Sequence, residues 1–300
     1  MTQQQLDPPR ANQLALYYIL VSIGIGMLGS LANHLLGTTS TNLPYLLTLT
    51  GLTCLIVWLG FVCKRCDALA LGFSRISWTS TLSLFVWLTI VGEGITAFTL
   101  TWFPEQLVEQ LLTAFTPESV WSWLVFLVMA SLVAPIGEEI VFRGFILNSY
   151  AQAIGAHRAV WISAILFGLA HHSPPHVVAA FFSGLVFARF VMAGGSLWAS
   201  IVAHGLVNFS STAMMHFNRS PLIFPEYETT EAGGIAGLLI AIIATFLFFK
   251  YHPVTRSIEP RQQQPIISAA LIGYLIITFS LTTLDLLSTL SVSPVTIPAH

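Results

Sequence analysis

The stretch 135–144, Pro-Ile-Gly-Glu-Glu-Ile-Val-Phe-Arg-Gly, places two adjacent carboxylates and an arginine inside a long apolar run. An ionisable residue at membrane depth is costly, so its presence is by default a functional-site hypothesis. In an α-helix Glu139 and Arg143 are four residues apart, share a face and can form an ion pair. Glu138 is five residues from Arg143, which at roughly 100° per residue points it well away. We therefore predict that Arg143 neutralises Glu139 and that Glu138 is free for chemistry.

The composition indicates that the rest of the chain is also suited to a lipid bilayer. Hydrophobic residues make up 55% of the sequence, charged residues 8%, and the mean hydropathy is +0.79. Soluble domains carry about 25% charged residues. We therefore predict an all-α, polytopic transmembrane helical bundle, with the lipid bilayer as its surroundings. The net charge of −2 and the lack of a basic patch exclude nucleic acid as a partner.

Apolar runs recur along the chain and predict about eight to nine membrane spans, each needing roughly 20 residues. The fifth and sixth are shorter, because the prolines at 174 and 175 cannot continue a helix. The sequence predicts a disordered start over 1–12, a retained membrane anchor as the first span, and an amphipathic interfacial helix over 102–118. The expected units are N-terminal membrane helices (1–118), a central core (119–217) and C-terminal membrane helices (218–300). The predicted spans are 14–36, 43–62, 79–101, 120–150, 159–171, 177–192, 197–217, 233–250 and 266–290.

The distribution of basic residues predicts the orientation of these spans. Cytoplasmic segments of membrane proteins are enriched in Lys and Arg. With the N-terminus in the cytoplasm, Arg143 and Arg219 are the only Lys or Arg residues of the sequence that lie outside the predicted cytoplasmic segments. We therefore predict a multi-pass protein of the plasma (inner) membrane with its N-terminus inside and its C-terminus outside. The cytoplasmic basic residues are Arg10, Lys64, Arg65, Arg75, Arg158, Arg189, Lys250, Arg256 and Arg261.

Polar side chains on the fourth, fifth and seventh predicted spans fall at a similar depth. At 1.5 Å per residue they lie roughly 10–20 Å from the cytoplasmic side of a hydrocarbon core about 30 Å thick. Two of them, His204 and Asn208, are also four residues apart and share a helix face. We therefore expect these side chains to meet near the middle of the membrane. The residues are Glu138, His171, His204 and Asn208.

These residue types suit peptide-bond hydrolysis. Glu138 and a histidine can hold and deprotonate a water, and a second imidazole with an amide can donate to a developing oxyanion. Glu138, His171 and His204 are equally a ligand set for a divalent metal such as zinc, with an open water position. A proton relay in a transporter and polar contacts that only join helices also remain open on the residues alone.

Four further ionisable residues are interpreted as structural. Glu93 and Asp285 are isolated acids, which we expect to be hydrogen-bonded to neighbouring helices rather than to contact substrate. His172 and His176 flank the two prolines and are interpreted as loop histidines rather than ligands.

The motifs Glu138-Glu139-x-x-x-Arg143, Phe167-x-x-x-His171 and His204-x-x-x-Asn208 resemble the three-part signature of the CPBP family of intramembrane proteases. That family includes type II CAAX prenyl endopeptidases and bacteriocin-processing or bacteriocin-immunity proteins. The resemblance covers about 119–212, with the motifs in the family's order and spacing. It does not extend to the N-terminal third or to the last two spans.

The resemblance implies a role for each residue and a substrate that is a peptide or a membrane protein. Glu138 and His171 would activate the water, His204 and Asn208 would stabilise the oxyanion, and Arg143 would hold Glu139. Whether a metal takes part is left open by the resemblance. Two other functions are kept as alternatives: a catalytically silent scaffold, such as a bacteriocin-immunity or secretion partner, and a proton-coupled transporter.

Overall fold

The computed structural model describes residues 7–36, 71–115, 119–216, 230–256 and 265–291, and these residues form an all-α bundle. Five of its helices, α2, α4, α6, α8 and α9, are long and apolar enough to cross a membrane. The prediction of a polytopic helical membrane protein is thus confirmed. The helices are α1 (Pro8–Leu36), α2 (Trp78–Trp102), α3 (Glu105–Phe115), α4 (Val120–Ile154), α5 (Ala156–Leu169), α6 (Pro174–Met192), α7 (Leu197–His216), α8 (Glu231–Tyr251) and α9 (Ala269–Ser291).

Eight of the nine predicted spans coincide with described helices, and the second, 43–62, lies outside the described residues. The predicted amphipathic segment contains α3. The fifth span is α5, which has only 14 residues. A turn over 170–173 joins it to α6, so this pair is shorter than two full crossings.

Two helix starts differ from the predictions. Residues 8–12 belong to α1 and are not a disordered start, because the Asp7 carboxylate accepts a hydrogen bond from the Arg10 backbone N–H at 3.0 Å. Prolines are well tolerated in the first turn, where their missing N–H has no intrahelical partner. The same rule explains α6, which begins at Pro174 instead of at the predicted residue 177. His176 therefore lies in its first turn, not in a loop.

Helix α4 is interrupted by two π-helical segments, Met129–Val133 and Glu139–Ile146, which lie on either side of Glu138. In the first segment the Ala134 N–H donates a hydrogen bond to the Met129 carbonyl oxygen. The next carbonyl in this pattern, Ala130, would pair with residue 135, a proline without an N–H. Such π-segments occur frequently at functional sites. The helix ends at Gly155, whose φ of +86° suits glycine.

Close helix crossings hold the bundle around α4. Helix α2 packs against α8, where a Cβ placed on Gly94 would lie 2.4 Å from the Gly237 carbonyl oxygen. Helix α7 approaches α4 equally closely, because a Cβ on Gly205 would lie 2.4 Å from the Ser131 carbonyl oxygen. Small residues permit such backbone contacts in membranes. Helix α1 packs against α4 and α9, so α4 is in contact with both α1 and α7.

Candidate active site

A cavity of about 420 Å³ lies between α2, α4, α6 and α7, with α3 along one side. Its lining is mainly apolar, with a few polar side chains from several helices. This composition is typical of a ligand site. The four residues that the sequence placed at one depth all line it: Glu138, His171, His204 and Asn208. Their convergence is an observation, whereas their catalytic roles remain predictions.

Glu139 is completely buried, and both oxygens of its carboxylate have partners. Arg143 Nη1 lies 2.9 Å from Oε1, as expected from the four-residue spacing. His204 Nδ1 lies 3.1 Å from the same oxygen, and Ser200 Oγ donates to Oε2 at 2.7 Å. Because a carboxylate only accepts hydrogen bonds, His204 Nδ1 is the protonated nitrogen in this contact. Glu139 therefore positions its neighbours, and its complete burial keeps it out of contact with a substrate in the cavity.

Arg143 is held by charge and by aromatic faces. Its guanidinium carbon lies 3.9 Å from the ring centroid of Phe167 and 4.9 Å from that of Phe187. None of its N–H groups has a well-aligned hydrogen-bond acceptor among the described residues, although the ion pair with Glu139 is short. Cation–π contacts of this kind are worth more when both groups are removed from water. Phe167, the first residue of the second motif, thus has a definite electrostatic part in the site.

Glu138 faces the cavity and is less constrained than Glu139. Its side chain is 14% exposed, against 0% for Glu139. His204 Nε2 lies 3.7 Å from Glu138 Oε2, too far for a direct hydrogen bond. The Tyr18 hydroxyl of α1 lies near the same carboxylate. The two acids therefore differ as predicted, but Glu138 is not isolated, because His204 lies between the two carboxylates.

His171 has an orientation that its backbone fixes. Its Nδ1 lies 2.9 Å from the Phe167 carbonyl oxygen, which can only accept, so Nδ1 donates and Nε2 keeps its lone pair. The ring lies 4.9 Å from Phe167 and 4.4 Å from His176, measured between centroids. His176 also lines the cavity. This contact was missed from the sequence, where the prolines indicated a loop.

Asn208 is anchored to the interrupted part of α4. Its Nδ2 donates to the Ala130 carbonyl oxygen at 2.8 Å, the carbonyl that Pro135 leaves without its π-helical partner. An amide NH₂ carries two donors. The second hydrogen therefore remains for another acceptor in the cavity.

The isolated acids have different surroundings. Asp285 accepts a hydrogen bond from Gln110 Nε2 at 3.0 Å, which agrees with the structural interpretation. Glu93 differs, because it lines the cavity and its Oε2 has no hydrogen-bond partner among the described residues, whereas Asp285 lacks one only at Oδ2. His172 lies in the turn between α5 and α6 with a φ of +61°.

The donor set does not fit a metal in this arrangement. Within the described parts of the chain, no group of three His, Cys, Asp or Glu side chains is placed to hold a metal ion. Both nitrogens of His204 face carboxylates rather than a point shared with His171. We therefore derive no chemical step through a metal.

Three residues of the site were not found from the sequence. Ser200 is four residues before His204, so the helical period alone places both on one face of α7. Tyr18 and Phe187 come from α1 and α6, and no motif or spacing links them to Glu138 or Arg143. Only the packing of separate helices brings them there.

Comparisons with known proteins agree with the central motifs. The family model described as "Type II CAAX prenyl endopeptidase Rce1-like" matches residues 119–210. The Bacillus subtilis (strain 168) protein named "Putative membrane peptidase YdiL" is 30% identical over 82 residues, which is 27% of this chain. The match spans only about a third, 34%, of that relative. No solved structure matches the chain significantly. The segment 119–210 of this multi-pass membrane protein is thus similar to type II CAAX prenyl endopeptidases of the Rce1-like family.

Proposed function

We propose that the chain is an intramembrane endopeptidase that hydrolyses a peptide bond in a membrane-associated protein or peptide. The observation that carries the proposal is the difference between two adjacent acids at one cavity. Arg143, His204 and Ser200 contact the buried carboxylate of Glu139. Glu138 instead lines the cavity, together with His171, His204 and Asn208.

The attacking water is activated by Glu138 and His171. A water oxygen within hydrogen-bonding distance of Glu138 gives its proton to the carboxylate or to the free Nε2 of His171. The water oxygen then forms a bond to the carbonyl carbon of the substrate. The proton passes from Glu138 or His171 to the amide nitrogen as the C–N bond breaks, so the site returns to its starting protonation state.

The carbonyl oxygen that becomes negative is stabilised by His204 and Asn208. His204 donates its Nδ1–H to Glu139, and its Nε2 is directed to the cavity side. Nε2 donates to the oxyanion in the imidazolium form, in which both ring nitrogens carry a proton. Asn208 supplies the amide hydrogen that is not used by the Ala130 carbonyl. Preorganised donors at a developing oxyanion lower the barrier because they need no reorientation during the reaction.

The proposal is tested by comparing protein termini in cells that carry the wild type or Glu138→Gln. Removal of a positioned acid–base group reduces rates by about 10²–10⁴-fold. We expect new N- and C-termini of a membrane protein or peptide with the wild type and their loss with Glu138→Gln. The matched control is Glu105→Gln, because Glu105 is an exposed acid at the start of α3 and should leave the termini unchanged.

Two outcomes contradict the proposal. A cellular phenotype that survives Glu138→Gln at normal protein levels indicates a catalytically silent scaffold. A flux that depends on a pH gradient and fails in the same variant indicates a proton-coupled transporter.

A cytoplasmic N-terminus in the plasma membrane is part of the proposal, and labelling of a cysteine introduced near residue 10 from either side of the membrane tests it.

A further inference from the structure

The face of α2 that borders the cavity lies outside the segment matched by the family. It contributes Thr89, Glu93, Thr96 and Thr99 to the lining, alternating with Leu88, Gly92 and Leu100. We call Glu93 together with Thr99 the α2 wall. This wall precedes residue 119, where the family match begins.

Both members of the α2 wall present polar atoms without partners. Glu93 Oε2 and Thr99 Oγ1 are enclosed, and neither atom has a hydrogen-bond partner in the described part of the protein. Thr99 is only 5% exposed. Buried polar atoms are nearly always paired, so two orphans on one cavity wall call for a ligand that satisfies them. A carboxylate in a mainly apolar cavity has an especially large demand for a partner.

The charge of the lining restricts what that ligand is. Glu93 and Glu138 are both acids of the cavity, and none of the described residues that line it is a lysine or an arginine. The arginine nearest in sequence to Glu138, Arg143, is completely buried against Glu139, Phe167 and Phe187. A cationic group that enters the cavity beside Glu93 would therefore meet a carboxylate with no lysine or arginine next to it, and an anionic group would be repelled there.

The packing of α2 keeps this wall in place. Gly94, the residue after Glu93, is in backbone contact with Gly237 of α8, and a Cβ on Gly237 would lie 2.6 Å from the Gly94 carbonyl oxygen. Helix α2 thus cannot rotate or withdraw without breaking this crossing. Glu93 is consequently presented from a fixed helix rather than from a mobile loop, which is the requirement for a specificity determinant.

We propose that the α2 wall binds a basic side chain of the substrate, with the Glu93 carboxylate pairing a lysine or arginine and Thr99 accepting a further hydrogen bond from it. Glu93 is thereby a specificity-determining residue and not part of the catalytic machinery. The inference rests on the proposed function in taking the cavity as the substrate site.

The probe is a set of short leucine–alanine peptides in which one lysine is moved along the sequence, each paired with a twin that carries norleucine instead. Binding to the full-length protein in detergent micelles is measured by microscale thermophoresis. A charge-assisted hydrogen bond in a desolvated site predicts that the best lysine peptide binds at least about tenfold more tightly than its twin. Glu93→Gln should remove this difference without changing the affinity for the norleucine twin.

Two further variants sharpen the assignment. Glu93→Lys should reverse the preference, so that a glutamate peptide binds better than the lysine peptide. Thr99→Val, which keeps the shape of the side chain, should reduce the preference for lysine by about tenfold, the loss expected for one hydrogen bond to a charged group. Equal binding of lysine and norleucine peptides to the wild type overturns the inference, as does a preference that survives in Glu93→Gln.

Mass spectrometry of the same peptides after incubation separates this inference from the proposed function. A preference for lysine that depends on Glu93, without any cleavage, contradicts the protease proposal and leaves the binding wall intact. Cleavage that Glu138→Gln abolishes, with no preference for lysine, supports the protease and overturns the assignment of Glu93.

Discussion

The two sides of the cavity differ in how their polar groups are satisfied. On the side formed by α4 and α7, Glu139 has three partners and Asn208 is bonded to the backbone of α4. On the α2 wall, Glu93 Oε2 and Thr99 Oγ1 have no hydrogen-bond partner in the described parts of the chain. On the first side these contacts fix the orientation of Glu139, His204 and Asn208 before any ligand arrives, as electrostatic preorganisation requires. The second is complete only with a ligand, as expected for a surface that selects one.

The largest effect on the free energy of unfolding should come from removing a charge on the side formed by α4 and α7. Arg143→Met leaves the Glu139 carboxylate buried without its cation, and breaking a buried ion pair in this way costs about 3–5 kcal/mol. We expect a loss of that size in the free energy of unfolding, measured by denaturant titration in micelles. A loss below about 1 kcal/mol would show that His204 and Ser200 alone satisfy Glu139.

A smaller effect is expected where α2 is fixed to α8. Gly94→Ala places a Cβ 2.4 Å from the Gly237 carbonyl oxygen, and such overpacking costs about 1–3 kcal/mol of unfolding free energy. The same variant should weaken peptide binding, because Glu93 moves with the helix.

Gly92→Ala is the matched control, two residues away on the same helix. A Cβ there meets no atom within 4 Å, so alanine should be neutral or stabilising by up to about 1 kcal/mol. Equal unfolding free energies for the two alanine variants would contradict the close crossing of α2 and α8.

The smallest effect on stability should come from the α2 wall itself. Glu93→Gln replaces an unpartnered carboxylate by a neutral amide, so no native contact is lost. We expect the free energy of unfolding to change by no more than about 0.5 kcal/mol, or to rise. A large loss would mean that Glu93 has a structural partner, and the contrast between the two sides of the cavity would disappear.

Helix positions and motif residues were accessible from the sequence, whereas the contacts between them were not. The apolar runs located the described spans to within a few residues, and the four-residue spacing anticipated the ion pair of Glu139 and Arg143. Helical phase, however, assumed a regular α-helix, and the π-segments of α4 change that phase beside Glu138. Nothing in the spacing indicates that His204 lies between the two carboxylates.

Glu93 shows the limit of local reasoning most clearly. An acid on an apolar helix is compatible with either a hydrogen bond to a neighbouring helix or a position beside a cavity. The outcome depends on which face of α2 meets α8, and this is decided by the small residues at 94 and 237. Asp285, an acid of the same kind, is instead paired with Gln110 of α3.

The interrupted helix α4 has a consequence for the order in which the protein is assembled in the bilayer. With Pro135 in place, the Ala130 carbonyl relies on Asn208 of α7, and Glu139 relies on Ser200 and His204 of the same helix. In lipid each unpaired polar group costs several kcal/mol. The shape of α4 seen here is therefore unfavourable until α7, which is synthesised later, has been inserted and docked. A partly made chain has no competent centre, so the proposed chemistry is withheld from neighbouring membrane proteins until the bundle is finished.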